Sequence, residues 1–114
     1  MLRVKRTSEH SKLPSKGTPG SAGYDLFAVE ESEIAPSTRK LINCGVKIEL
    51  PNDTYGRIAP RSGLAVKGID IAAGVVDQDY RGELRALVCN NSTEPFKIII
   101  GAKIAQLIIE KIDQ

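Results

Sequence analysis

Cysteine and histidine are scarce in this chain. Among 114 residues there are two cysteines, Cys44 and Cys89, and one histidine, His10. Two thiols cannot build a disulfide framework, which points to a reducing compartment such as the cytosol or nucleus. A nucleophilic cysteine would want a His partner, and His10 lies in the polar run Ser8-Glu9-His10-Ser11-Lys12, which reads as solvated. Both cysteines adjoin strand-like runs and are expected as small buried hydrophobes. Neither sign of charge dominates: 16 Lys and Arg stand against 14 Asp and Glu. That balance lacks the basic stripe by which a duplex-binding domain releases counterions, so no nucleic-acid partner is expected. A secretory apolar segment and a bilayer-length run are also missing, and no membrane partner is expected. With no internal repeat or linker, residues 1–114 read as one domain around one core.

What is present is a succession of short strand patterns. Leu2 and Val4 alternate with Arg3, Lys5 and Arg6, as in an edge strand with a polar outer face. Lys12 to Gly23 is dense in Pro, Gly, Ser and Lys and reads as a loop. From Leu41 to Leu50, apolar residues recur at 42, 44, 46, 48 and 50, the period of a half-buried strand. Pro51-Asn52-Asp53 supplies a turn, and Thr54–Ala59 resumes an extended pattern. Leu84–Cys89 and Phe96–Ile100 are further strands, separated by the polar turn Asn90–Pro95. Ile104, Leu107, Ile108 and Ile112 have helical spacing, yet the segment's isoleucines favour sheet. The residues alone leave that segment open. The rest predicts an all-β barrel or sandwich, whose edges need covering, for instance by exchange of terminal segments between identical subunits.

Four segments carry candidate chemistry. In Pro60-Arg61-Ser62-Gly63, Arg61 offers a donor fork matched to phosphate oxygens. The Ser62 hydroxyl and nearby N–H groups can complete an anion cradle, and Gly63 allows close backbone approach. Taken alone, the segment also suits an ordinary polar turn. Gly74-Val75-Val76 runs into the charged corner Asp77-Gln78-Asp79-Tyr80-Arg81-Gly82-Glu83. A carboxylate held at a strand mouth can orient water for in-line attack on phosphorus, and Tyr80 can offer a ring face to a sugar. A solvated hairpin corner is the plainer alternative, and the spacing lacks the calcium-loop pattern. Asp25, in Ala22-Gly23-Tyr24-Asp25-Leu26, suits a turn cap or a metal. Gln106, in Gly101-Ala102-Lys103-Ile104-Ala105-Gln106-Leu107, places an amide in an apolar run where it must find partners.

In order and together, AGYDL (22–26), PRSGLA (60–65), GVVDQDYRG (74–82) and GAKIAQL (101–107) resemble the first four of five motifs of the trimeric dUTPases. The resemblance implies strand for Ile104–Ile112. It also implies a jelly-roll-like β fold and a homotrimer with active sites at subunit interfaces. The implied activity is hydrolysis of dUTP to dUMP and pyrophosphate, limiting uracil in DNA and supplying dUMP for thymidylate synthesis. Carried over by residue, Asp77 would be the general base activating water, and Tyr80 would pack on deoxyribose. The backbone around Gly74 and Val75 would pair with uracil. Arg61, Ser62, Gly63 and Gln106 would contact phosphates, and Asp25 would hold Mg²⁺ through water.

Several features depart from the family pattern. Ala102 stands where members commonly have Asp, and Lys103 where they often have Arg, which keeps charge but loses the planar fork. Asp70-Ile71-Ala72-Ala73 lacks the Asn that reads uracil in many bacterial members, which looks like the branch relying on backbone contacts. The fifth motif, an Arg- and Gly-rich C-terminal tail, is not found after Gly101. If the natural protein lacks it, weak catalysis and an open site are expected. That keeps a second reading in play: a dUTPase-fold nucleotide-binding or interaction protein with weak or no catalysis. A dCTP deaminase relative is a third, set against by the acid–x–x–Tyr arrangement at Asp77 and Tyr80.

Overall fold

Short amphipathic stretches punctuated by turn residues form eleven strands and one short helix in the computed structural model, which describes residues 1–113. In chain order these are β1 (Arg3–Arg6), β2 (Tyr24–Phe27), β3 (Ser32–Ile34), β4 (Thr38–Asn43), β5 (Val46–Glu49) and β6 (Thr54–Ala59). The helix α1 (Ser62–Ala65) follows, then β7 (Ile69–Ala72), β8 (Val75–Val76), β9 (Arg85–Asn90), β10 (Phe96–Ile98) and β11 (Lys103–Lys111). They pair antiparallel in four small sheets: β1-β5, β10-β3, β2-β11-β6-β8 and β4-β9-β7. The all-β expectation holds.

The open segment Ile104–Ile112 is a strand. As β11 it is paired on both sides, with β2 along its first half and with β6 along its second. Those two ladders satisfy backbone groups that a helix would satisfy internally, and the β-branched residues fit the pleated surface. Ile104, Ala105 and Leu107 are buried. Each large apolar side chain so buried contributes about 1.5–3 kcal/mol, enough to outweigh the helical spacing.

The alternation from Leu41 to Leu50 is not one strand, as the period suggests, but two. Ile42, Cys44, Val46, Ile48 and Leu50 are all buried as expected. Between them Gly45 takes φ +69°, and a Cβ there would collide with Val29 Cγ1 and Ser11 Oγ. The chain turns at this glycine, so β4 joins β9 while β5 joins β1. Inward-facing periodicity survives because both strands face the same core. β1 is the polar-faced partner strand expected, with Val4 half-buried between exposed Arg3 and Lys5. Asn90, placed in a turn by its sequence, instead closes β9 fully buried. Its amide donates to the Ile34 and Glu94 carbonyls (2.9 and 2.7 Å), and its oxygen accepts from Ser92 N and Oγ (3.0 and 2.7 Å).

Cys44 is buried as expected, and desolvation pushes its thiol up to about 12. Cys89 is only half-buried. His10 is exposed, with Glu9 at 3.7 Å. Among the described residues no helix is long and apolar enough to cross a membrane.

Candidate functional site

The register of one sheet builds the first half of the site. Gln106 on β11 faces Asp25 on β2 at one side and Ala59 on β6 at the other. Residues from three distant parts of the chain therefore meet in one row. The Gln106 amide donates to the Pro60 carbonyl at 2.9 Å, fixing the point where β6 leaves the sheet for α1. On its other flank Gln106 packs so closely on Gly23 that a Cβ at position 23 would overlap the amide oxygen. Gly23 is thus required by packing. The loop before it lies along β2: Asp25 N donates to the Ser15 carbonyl at 2.7 Å, and Lys12 Nζ sits 5.4 Å from the Phe27 ring centre.

Asp25 lies between two cations. Its Oδ1 is 3.4 Å from Arg61 Nε and its Oδ2 is 3.6 Å from Lys103 Nζ, with the carboxylate side chain only 17% exposed. Arg61 is the extended residue capping α1 (φ −85°, ψ 137°). Its carbonyl accepts from Leu64 N and Ala65 N, which leaves the Ser62 and Gly63 N–H groups without intrahelical acceptors. Space beside Gly63 is open, since a Cβ there would meet nothing within 4 Å. Free N–H groups beside Arg61 and Lys103 are an arrangement suited to an anion. The four-residue helix carries no side-chain cap; the sequence predicts the cradle at 60–63 but not the helix.

The second half is a hairpin. Ala73 and Gly74 both take positive φ (54° and 95°), and Ile58 N donates to the Gly74 carbonyl at 2.7 Å. A Cβ at Gly74 would strike the Ile58 carbonyl. The hairpin leads into β8, paired with β6 at Gly56–Val76 and Arg57–Val75. As the edge strand of its sheet, β8 presents main-chain donors and acceptors on its outer side. Beside it is a pocket of about 310 Å³ lined in part by Gly74, Val75, Asp77, Tyr80, Ile58 and Leu41. Tyr80 donates to the Glu83 carbonyl at 2.8 Å, and Tyr80 N donates to the Asp77 carbonyl at 3.0 Å. Asp77 is exposed, and among the described residues its carboxylate makes no hydrogen bond or ion pair. It also lines a larger adjoining pocket with Tyr55, Gln78, Asp79, Arg81 and Ile112.

The structure gathers Asp25, Arg61, Ser62, Gly63 and Gln106 on one side, and Gly74, Val75, Asp77 and Tyr80 on the other. Neither pocket lined by Asp77 includes any residue of the first set. Sequence reasoning missed Ile58, Leu41, Glu83 and the Pro60 carbonyl, which enter through cross-strand register and carry no local signal. For a divalent cation, no cluster of three or more His, Cys, Asp or Glu forms among the described residues. Asp25 alone still suits Mg²⁺, which keeps several waters and commonly takes one or two carboxylates plus substrate phosphates.

Sheets, turn and edge-strand pocket define an all-β protein with a cation-backed turn and a separate pocket of about 310 Å³. The sequence matches a family model described as dUTPase over residues 9–114. It is 46% identical over 112 residues to the deoxyuridine 5'-triphosphate nucleotidohydrolase of Yarrowia lipolytica, covering 97% of this chain and 71% of that protein. The enzyme of the same name from Paramecium bursaria Chlorella virus 1 is 49% identical, with 97% and 79% covered. Among solved structures, a mutant dUTPase from phage phi11 of S. aureus, described with a structural Mg(II) ion, superposes with TM-score 0.93 at 26% identity. That match covers 100% of this chain and 92% of the other. The Staphylococcus bacteriophage 80alpha dUTPase with dUPNHPP superposes at 0.94 and 25% identity, covering 100% and 84%. The chain belongs to the dUTPase family and has its jelly-roll fold.

Proposed function

We propose that this protein hydrolyses dUTP to dUMP and pyrophosphate by attack of water at the α-phosphorus. The observation that carries the reading is the placement of Asp77 and Tyr80 in one pocket with the hairpin residues Gly74 and Val75. The β8 edge offers main-chain groups to the uracil rim, and such readout discriminates strongly, because a wrong base strands buried polar groups. Tyr80 closes on the deoxyribose and leaves no room for a 2′-hydroxyl. Asp77, free of protein partners, takes the proton of the attacking water, a contribution of roughly 10²–10⁴ in rate.

Arg61 and the N–H groups of Ser62 and Gly63 receive phosphate oxygens and stabilise the charge that builds there during attack. Gln106 reaches the same row, although one amide donor is committed to Pro60. Asp25 would hold Mg²⁺ through water, and the cation supplies charge neutralisation on the phosphates. On substrate binding, Arg61 and Lys103 would exchange their ion pairs with Asp25 for contacts with phosphate.

A homotrimer completes the site. Supporting this is the separation already described: the pockets at Asp77 lack Asp25, Arg61 and Gln106, an arrangement that suits a second copy bringing its Asp25–Arg61–Gln106 row to the first copy's hairpin. A reducing compartment, cytosol or nucleus, suits the unpaired thiols.

The test is pyrophosphate release from each dNTP in Mg²⁺, with molar mass measured in parallel. Selective release from dUTP by a trimer is expected. Binding of dUTP without turnover would instead make the protein a nucleotide-binding interaction module, and ammonia release from dCTP would make it a deaminase.

A further inference from the structure

We infer that Glu83 is a positioning residue for sugar discrimination, acting through Tyr80. The inference rests on the proposed role of Tyr80 against the deoxyribose. Tyr80 is 44% exposed, so packing alone does not hold its ring. Two things fix the other side. Gly82 lies under the ring so closely that a Cβ there would come within 2.5 Å of the hydroxyl, and the hydroxyl donates to the Glu83 main-chain carbonyl. Both supports belong to the same two residues, 82 and 83. The ring is only as steady as that piece of backbone.

Glu83 ties this backbone to the rest of the molecule. Its Oε2 accepts from Thr7 Oγ1 at 2.6 Å and from Asn43 Nδ2 at 3.3 Å. Thr7 follows β1 and Asn43 ends β4, so the two donors come from different sheets. Each is itself held at Gly45: Asn43 Oδ1 accepts from Gly45 N at 2.8 Å, and Thr7 N donates to the Gly45 carbonyl at 3.0 Å. The carboxylate is therefore pinned to the turn that divides β4 from β5. The Thr7 hydrogen bond, then that of Asn43, holds its proton affinity below the usual glutamate range. Without the clamp, the 80–83 corner keeps its local contacts, Tyr80 N to the Asp77 carbonyl and Arg81 Nη1 to the Gln78 carbonyl at 2.7 Å, and is held to the core only beyond it, where buried Leu84 pairs with Val46 and Cys44. A small recession of the ring then admits a ribose hydroxyl.

Sugar selectivity is read in two ways, as kcat/KM for dUTP against UTP and as affinity for dUMP against UMP by calorimetry. In Glu83→Ala the deoxyribose preference is expected to fall about tenfold, the scale of a misfit of one small group in a pocket. KM should carry the change and kcat for dUTP much less, since Asp77 is untouched. Glu83→Gln, whose amide oxygen can accept from the same two donors, should restore most of the preference. Thr7→Val removes one donor at similar shape and should shift selectivity in the same direction. A folded Glu83→Ala with native preference overturns the inference, as does a Gln variant that fails as badly as Ala. Should Glu83→Ala not fold, an unchanged ratio in Thr7→Val is decisive against the clamp. A wild-type chain that never turns over dUTP defeats the proposed activity instead, and the dUMP/UMP affinities still judge the clamp.

Discussion

Around Asp25 the charges are matched with one another, whereas around Asp77 the carboxylate faces open space. The first region is a row of side chains locked by sheet register, with Arg61 and Lys103 already engaged. The second is a backbone device, a strained turn and an edge strand that hold one free acid beside a pocket. The contrast separates two tasks. Partly exposed ion pairs are worth only about 0–1 kcal/mol, so cations can leave a carboxylate for phosphate at little cost. A general base has the opposite need, since any protein partner would compete with its water.

The sharpest way to break the comparison is Asp77→Asn. Turnover should fall at least about 10³-fold, within the range general bases supply, while dUTP affinity by calorimetry stays measurable. Near-native pyrophosphate release from this variant would remove Asp77 from the mechanism. Gly74→Ala attacks the backbone device itself. The positive φ and the collision with the Ile58 carbonyl should cost about 1–3 kcal/mol in a denaturant melt. KM for dUTP should rise as the hairpin shifts, and an unaltered melt with unaltered KM would show that the strain is absent.

These two residues also show what could be seen before the fold was known. Asp77 and Tyr80 were legible because their spacing is local and is matched by other motifs in order. The strain at Gly74 was not, since a Gly-Val-Val run is equally compatible with an ordinary strand. Gly45 misled in the same way: a glycine inside a period-2 pattern reads as part of the strand, and only the crowding of Val29 and Ser11 reveals a turn. In the other region, two separate motifs pointed to Arg61 and Asp25. Their meeting depends on Gln106 sitting opposite Asp25 and Ala59, a long-range register that no window of sequence contains.

The charge-matched region gives smaller effects. Arg61→Lys preserves charge but loses the planar fork, and KM for dUTP should rise about tenfold with kcat changing less. An equal fall in kcat with constant KM would mean that Arg61 acts only in the transition state. The smallest effect concerns Glu83 and acid. Its carboxyl is held below the usual glutamate range by the Thr7 and Asn43 hydrogen bonds. A depressed folded-state value stabilises the protein above the unfolded pKa, and that contribution is lost as pH falls through the folded value. Glu83→Gln should therefore lower the melting temperature slightly at neutral pH, meet the wild type at the acid end and so flatten the acid limb of the profile. An identical acid limb would show that the hydrogen bonds contribute nothing to pH dependence.

The buried thiol at the division between β4 and β5 has a use of its own. Only a thiolate reacts readily with alkylating reagents, and Cys44 is both shielded and pushed up to about 12. Half-buried Cys89 is far easier to reach. In native protein, a maleimide or iodoacetamide should thus mark position 89 quickly and position 44 only when the surrounding strands part. The second, slow labelling event makes the molecule its own clock for how often the joint between two sheets comes open.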